Sequence, residues 1–310
     1  MERVVIVIVG PTCSGKTILS IRIAQRIPSE IISADSRQIY KFLNIGTAKP
    51  SNDQLQNFPH HLIDKLNPDE DYNASIFAKD AELFITNIFG RHKVPIVVGG
   101  SGLYIRAFID GIFDTDVKDL AYRKELIQMR RAFGNEYIYE MLKKNDPESA
   151  TKMLPQNWKR VIRALEVLHT TGHPIWKHHN DQTSKTGIDM GYSIKQFGIN
   201  WDRKLLYENI DKRVDKMILN GFVDEVKKIL NMGYDQNLNS LNTVGYKEII
   251  EYLKGSITLE RTIELIKRNT RHYAKRQMTW FRKDNRIQWF NISDINQLDQ
   301  IADEIIQSIN

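Results

Sequence analysis

The sequence predicts an α/β fold: a P-loop NTPase-like core with a parallel sheet flanked by helices, plus an all-helical insertion domain. Three observations carry the prediction. An unbroken apolar run over residues 4–9 leads into Gly10-Pro11-Thr12-Cys13-Ser14-Gly15-Lys16-Thr17, and a helix-like segment comes next over 17–27. A second buried-strand run, 94–98, comes after a segment of helical period. Between 116 and 189 apolar residues recur at helical spacing and nothing reads as a strand. The expected organisation is therefore 1–115 as the first part of the core, 116–189 as the insertion, and 190–310 as the second part of the core.

Strand, glycine loop and helix, spaced G-x-x-x-x-G-K-[ST], meet the context a P-loop requires. Its glycines let several N–H groups converge on one anionic centre, to which the helix N-terminus adds its dipole. Lys16 is expected to reach the terminal phosphate and the Thr17 hydroxyl to ligate Mg²⁺. The loop is thus a diphosphate- or triphosphate-binding site. Cys13 lies inside it, either as a redox-sensitive thiol or as a tolerated small residue; only the glycines, the lysine and the hydroxyl are demanded by the pattern.

The 310 residues, 41% of them hydrophobic, suffice for one large domain or two modest ones. The apolar run at the N-terminus is six residues long and does not read as a signal peptide, and no stretch approaches a membrane span. One cysteine allows no internal disulfide, which points to a reducing, cytoplasmic compartment. Net charge is +6, yet residues 261–286 alone hold nine Lys or Arg against two acidic residues, a balance of +7 that leaves the remainder at −1. Charge concentrated in this way is the footprint of a polyanion partner.

Along the chain, a strand-like segment at 30–33 leads to Asp35. If this strand and the first are parallel neighbours, Asp35 sits in the crevice beyond the strand ends where ligands of open α/β sheets bind. It also reads as a helix N-cap for the segment after it, and the two roles are compatible. Segments 45–50 and 60–64 read as polar loops with a short apolar strand between them. The paired His60 and His61 invite a metal reading, but adjacent side chains diverge and no third ligand is spaced to help. A helix over 74–89 presents Ile76, Phe77, Ala81, Phe84 and Ile88 as its apolar face. The strand 94–98 ends in Gly99-Gly100-Ser101-Gly102, where many P-loop NTPases place an acidic Mg²⁺ ligand. In the insertion, 157–166 forms an amphipathic helix with Arg160 and Arg163 on one face, either solvated or ligand-binding. A polar segment occupies 178–186. A strand at 192–199 and helices over 213–221, 223–230 and 243–255 come next. The longest helix, 258–280, interleaves Arg268, Arg271 and Lys275 with Tyr273, Trp280 and Phe281, a mixture suited to RNA. A strand at 287–290 and an amphipathic helix at 298–309 close the core.

The strings GPTCSGKT, SADSRQIY, IGTAKP, HHLID, VVGGSGLY, KRVIRALEV, TVGYKE and AKRQMTWFR occur in this order over residues 10–282. Together they resemble the tRNA dimethylallyltransferase family, the bacterial tRNA isopentenyltransferases. The resemblance implies transfer of a dimethylallyl group from dimethylallyl diphosphate to the exocyclic amine of the adenosine 3′ of the anticodon, with Mg²⁺ as cofactor. The P-loop then holds the donor's diphosphate, the leaving group, which accounts for a strand ending in glycines. Lys16, Thr17 and Arg213 are implied diphosphate contacts and Asp35 the general base toward the amine. The implied tRNA contacts are Asp35, Ser36, Arg37 and Gln38; Ser101 and Arg123; Lys159, Arg160, Val161, Ile162 and Arg163; Asn242, Thr243, Val244, Gly245, Tyr246 and Lys247; and Lys275, Arg276, Gln277, Met278, Thr279, Trp280, Phe281 and Arg282. Base flipping into a channel, a monomeric enzyme and no membrane association complete the expectation. Ser101 stands where family members commonly carry threonine, and Asn209 where an arginine is often found. Two other readings stay open at this point: a small-molecule or nucleotide kinase with the same ATP-binding core, and a non-catalytic RNA-binding NTPase.

Overall fold

The structure, a computed structural model, describes residues 3–112, 119–177 and 191–309. By their contacts the residues separate into two units, Met1–Ile109 with Thr186–Asn310, and Asp110–Lys185. The expected boundaries at 115/116 and 189/190, and the polar segment 178–186, lie outside or largely outside the described residues.

The first unit is built on six parallel strands: β1 (Val4–Val9), β2 (Ser29–Ser33), β3 (His60–His61), β4 (Val94–Gly99), β5 (Ser193–Trp201) and β6 (Ile287–Ile292), in the order β3-β2-β4-β1-β5-β6. All six residues of β1 and all five of β2 are buried. That is why these strands read as continuous apolar runs: helices cover both faces of a parallel sheet. The core gathers Ile6, Ile8, Ile31, Ile96, Phe197 and Ile199 from the sheet with Leu19, Ile23, Leu298 and Ile301 from the helices against it.

One expectation needs correcting. β1 and β2 are not neighbours; β4 lies between them, pairing Val9 with Gly99 on one side and Ser33 with Val98 on the other. The carboxyl ends of the three strands are nevertheless level, so residues leaving β2 reach the same crevice as the P-loop.

The helices of this unit are α1 (Lys16–Ala24), α2 (Asn52–Asn57), α3 (Ala74–Gly90) and α4 (Gly102–Asp110) in its first part. Segment 50–58, expected to hold a short strand, instead forms α2, started by a capping box between Ser51 and Gln54. His60 and His61, expected in a loop, are themselves the edge strand β3. Alternation sends them apart: His61 Nε2 meets Glu30 at 2.7 Å and stacks on Phe84, whereas His60 Nδ1 contacts the Phe58 carbonyl. On α3 the buried face is Phe77, Ala81, Ile85 and Ile88, with Ile76 and Phe84 half-buried.

The second unit contains α5 (Leu120–Asn145), α6 (Pro147–Thr151) and α7 (Trp158–Thr171). No strand occurs among its described residues. Gly134, at φ +89°, breaks the helical backbone within α5. Leu126, Ile138 and Leu142 from its two halves pack with Ala150, Val161, Ile162 and Leu165 into a separate core. Gly172, left-handed at φ +69°, ends α7.

The chain completes the first unit with α8 (Arg203–Leu219), α9 (Phe222–Asn231), α10 (Tyr246–Leu253), α11 (Leu259–Phe281) and α12 (Leu298–Ile309). Thr258 caps the long α11, accepting the Arg261 N–H at 3.3 Å.

Candidate active site

The P-loop turns at Gly10 (φ +148°), Cys13 (φ +64°) and Gly15 (φ +90°). Side chains from elsewhere in the chain fasten its backbone. Trp201 at the end of β5 donates its indole N–H to the Ser14 carbonyl at 3.0 Å. Gln277 on α11 accepts the Thr12 N–H at 2.8 Å and donates to the Gly100 carbonyl at 2.9 Å. Arg213 on α8 donates to Thr12 Oγ1 at 3.2 Å and Cys13 Sγ at 3.6 Å.

These contacts explain the glycines that end β4. A Cβ on Gly99 would fall 2.1 Å from the Ala34 carbonyl oxygen, on Gly100 2.2 Å from Gln277 Nε2, and on Gly102 2.3 Å from the Trp280 ring. The absent side chains make room for the turn out of β2 and for α11. Where another P-loop protein keeps an acid, this chain brings in the long basic helix.

Lys16 donates to the Pro11 carbonyl at 2.6 Å. Burial pushes its pKa down to about 8; the Asp35 carboxylate and Cys13 pull it back up, and Arg213 presses it lower. A polyanion would supply the counter-charge this lysine lacks. Ser14 Oγ, fully buried beside it, has no hydrogen-bond partner among the described residues. Lys16, Thr17 and Ser14 line a cavity of about 1210 Å³ whose far wall is α8 with Asn209, Lys212, Arg213 and Lys216.

A second cavity, about 340 Å³, lies against the first. Thr12, Asp35, Thr47, Arg213, Met217 and Tyr273 line both, so Asp35 stands where the two meet. Asp35 Oδ1 also accepts the N–H groups of Arg37 at 2.8 Å and Gln38 at 3.4 Å. Residues 36–39 form a turn and not the expected helix, so Asp35 closes a turn while it lines the crevice. Burial first, then the Asp35 charge, raises the pKa of the neighbouring Tyr273 phenol.

The expected RNA-facing residues divide by burial. Ser36, Arg37, Asn242, Thr243, Val244, Lys247 and Arg276 line the second cavity. Lys275, Thr279 and Trp280 form an exposed patch with His272, Arg276 and Lys283, and Arg282 is exposed on the same helix. In the second unit Lys159 and Arg160 are exposed and Arg163 is half-buried.

Other members of those segments are buried or engaged within the chain. Val161 and Ile162 are fully buried in the second unit's core. Tyr246 is fully buried and Phe281 nearly so, and Gly245 is buried with its N–H held by Glu248 at 2.7 Å. Gln277 is taken up by the P-loop and Gly100. Met278 is half-buried. Gln38 turns inward, accepting from Ser33 Oγ at 2.9 Å and donating to the Thr47 and Ala48 carbonyls. Ser101 Oγ accepts the Ser36 N–H at 3.1 Å, joining the ends of β4 and β2. Arg123 is bound to Glu166 at 2.7 Å, a tie between α5 and α7. Nothing in the sequence marks Trp201, and the motif that holds Gln277 does not show which way it faces. Tyr273 stands out in the sequence only as an aromatic among basic residues; three-dimensional proximity to the P-loop reveals these roles.

The family model described as IPP transferase matches residues 38–284. A tRNA dimethylallyltransferase of Alkaliphilus oremlandii (strain OhILAs) is 44% identical over 308 residues, 99% of this chain and 97% of the relative. One from Carboxydothermus hydrogenoformans (strain ATCC BAA-161 / DSM 6008 / Z-2901) is 45% identical over 310 residues, again 99% and 97%. Among solved structures, the tRNA isopentenylpyrophosphate transferase of Bacillus halodurans is similar at a TM-score of 0.71 and 37% identity, covering 99% of this chain and 96% of that one. A eukaryotic dimethylallyltransferase acting on tRNA aligns at a TM-score of 0.83 and 29% identity, over 98% of this chain and 78% of its own. With likeness running from the P-loop to the last helix, the chain belongs to the IPP transferase family.

Proposed function

We propose that the chain transfers a dimethylallyl group from dimethylallyl diphosphate to tRNA, at the exocyclic amine of the adenosine 3′ of the anticodon. One observation carries the reading: Asp35 stands at the junction of a phosphate-binding cavity and a second cavity lined by the 242–247 segment and Arg276. A donor in the first and a flipped base in the second would meet beside a carboxylate.

In this reading the C–O bond between the allylic carbon and the diphosphate breaks, and the diphosphate leaves with the electron pair. The adenine amine forms the new C–N bond, and its proton passes to Asp35. Lys16, Arg213 and the P-loop amides receive the charge that grows on the leaving oxygens. The Thr17 hydroxyl, which lines the first cavity, would hold Mg²⁺, and the ion would supply further charge neutralisation. Among the described residues no three His, Cys, Asp or Glu side chains gather into a metal cluster. The exposed Lys275, Arg276, Trp280 and Arg282, together with Lys159 and Arg160 of the second unit, act as tRNA contacts. Among the described residues no helix is long and apolar enough to cross a membrane. We place the reaction in the cytoplasm, on a monomer.

Incubation with dimethylallyl diphosphate and unmodified tRNA, then nucleoside mass analysis, is expected to give one dimethylallyl-adenosine per acceptor tRNA. A kinase would require ATP and would leave the second cavity and the basic helix without a task. Product only with ATP, or no prenylated nucleoside at all, overturns the reading.

A further inference from the structure

The loop after Phe42 has no regular secondary structure, yet it forms wall for both cavities: Asn44 and Ile45 face the first, Gly46 the second, and Thr47 both. A single carboxylate organises it. Glu225 on α9 accepts three successive backbone N–H groups, from Asn44 at 3.0 Å, Ile45 at 2.7 Å and Gly46 at 3.2 Å. It also accepts the phenolic O–H of Tyr246 at 2.6 Å. Converging backbone amides of this kind usually cradle an external anion. Here the anion is the protein's own.

The arrangement is tight around that point. Burial raises the Tyr246 pKa well above its ordinary value, as does the adjacent Glu225 charge, so the phenol remains a donor. A Cβ on Gly46 would lie 2.4 Å from the rings of Phe222 and Tyr246. Beyond Thr47, Lys49 secures the other end of the loop, donating to the Tyr40 carbonyl at 2.6 Å and to Asn44 Oδ1 at 3.0 Å. Lys49 has its own counter-ion in Asp64, which leaves the Glu225 oxygens to the three amides.

We infer that Glu225 is a positioning residue of the transfer reaction, acting through the 44–47 loop to hold the wall where donor and acceptor meet. The inference rests on the proposed transferase reading. Glu225 lines neither cavity, so it acts at one remove, through backbone it orders. The donor's phosphate contacts are assigned to the P-loop and α8, and the basic surface to α11, so the charged contacts of both binding steps lie outside this loop. What depends on it is alignment, where a displacement on the order of 1 Å costs about 10²-fold in rate.

The test compares the wild type with Glu225→Ala and Glu225→Gln. Glu225→Ala is expected to lower kcat by about 10- to 100-fold, while the Kd values for dimethylallyl diphosphate and tRNA stay within about threefold. Amide hydrogen exchange at Asn44, Ile45 and Gly46 should quicken at least about tenfold, with the amides of β1 and β4 as protected as before. Glu225→Gln keeps one good acceptor oxygen and should recover part of the rate; it carries the test if the alanine variant fails to fold. Unchanged kcat despite freed amides overturns the inference, and so do amides that remain protected. Loss of sheet protection with both affinities falling in step would make Glu225 a folding residue and nothing more. A wild type that forms no prenylated product would instead overturn the transferase reading.

Discussion

Two regions of the first unit gather positive charge, and they do so by opposite physics. At the P-loop the cations are two, Lys16 and Arg213, and among the described residues neither makes a carboxylate salt bridge. Burial has pushed Lys16 down to about 8, so its charge is held in a strained balance that a polyanion would relieve. In and just beyond α11 the cations are many, and four already have partners: Arg261 with Glu264, Lys267 with Asp215, Arg271 with Asp211 and Arg286 with Asp284. Arg268, Lys275, Arg276, Arg282 and Lys283 remain exposed, mostly toward the helix's carboxyl end. A count of charges along the sequence overstates the second region and understates the first. Desolvated charges act singly and at short range; exposed ones act together and are screened by salt.

The comparison breaks most readily at Lys16. Lys16→Met should lower the transfer rate by about 10³-fold, as loss of a preorganised contact to a leaving group does, with tRNA affinity unmoved. Single-turnover kinetics beside a tRNA-binding titration would check it, and a tRNA affinity that fell in parallel would merge the two regions into one. Asp35→Asn keeps the acceptor oxygen for the Arg37 N–H and removes only the basicity. It should cost about 10²-fold in the same assay, with both substrates still bound.

Titration sharpens the contrast. Free Lys16 loses its proton near pH 8 instead of near 10.5. A bound diphosphate favours the charged form and raises that value again, so binding takes up a proton between the two. Donor affinity should therefore be flat below pH 8 and fall above it, by up to about tenfold per pH unit until the pKa of the complex is reached. Calorimetry at pH 8.5 in two buffers of different ionisation enthalpy would read the proton uptake directly. tRNA affinity, carried by other residues, should not share this profile.

How much of this was legible in the sequence obeys the same division. Strand β1, the P-loop and α1 are contiguous and carry their signal in spacing, so element, turn and chemistry were readable together. Asp35 was readable as a crevice residue, although the strand thought to adjoin β1 is separated from it by β4. Strand order depends on which apolar faces meet, and periodicity carries no trace of that. The glycines ending β4 were visible, but their cause was not: Gln277 and Trp280 come from about 180 residues further on. The motif segments were found whole, while burial split them by residue, because a helix turns Val161 and Ile162 inward as surely as it turns Lys159 and Arg160 out. Glu225 was not readable at all, since its ligands are backbone amides, which every residue has.

The smallest expected effect discriminates within α11 itself. Lys275 and Arg276 are exposed, whereas one guanidinium nitrogen of Arg271 donates to both Asp211 oxygens, at 2.9 and 3.1 Å, and the group lies over the Tyr207 ring at 5.8 Å. Replacing Lys275 and Arg276 by glutamine should weaken tRNA binding several-fold at moderate salt. It should also reduce the slope of log K against log salt by about 0.7–0.9 for each phosphate contact removed. Arg271→Gln should leave that slope unchanged. Its cost should appear in thermal melting, as a loss of up to about 1 kcal/mol, because a pair roughly one-third exposed is partly screened by solvent. Measuring both variants over one salt series separates a charge that serves the fold from a charge that serves the ligand. If Arg271→Gln flattened the slope as much as the loss of Lys275 and Arg276, ion pairing with Asp211 would yield to RNA, and the nine basic residues would have to be counted as one surface after all.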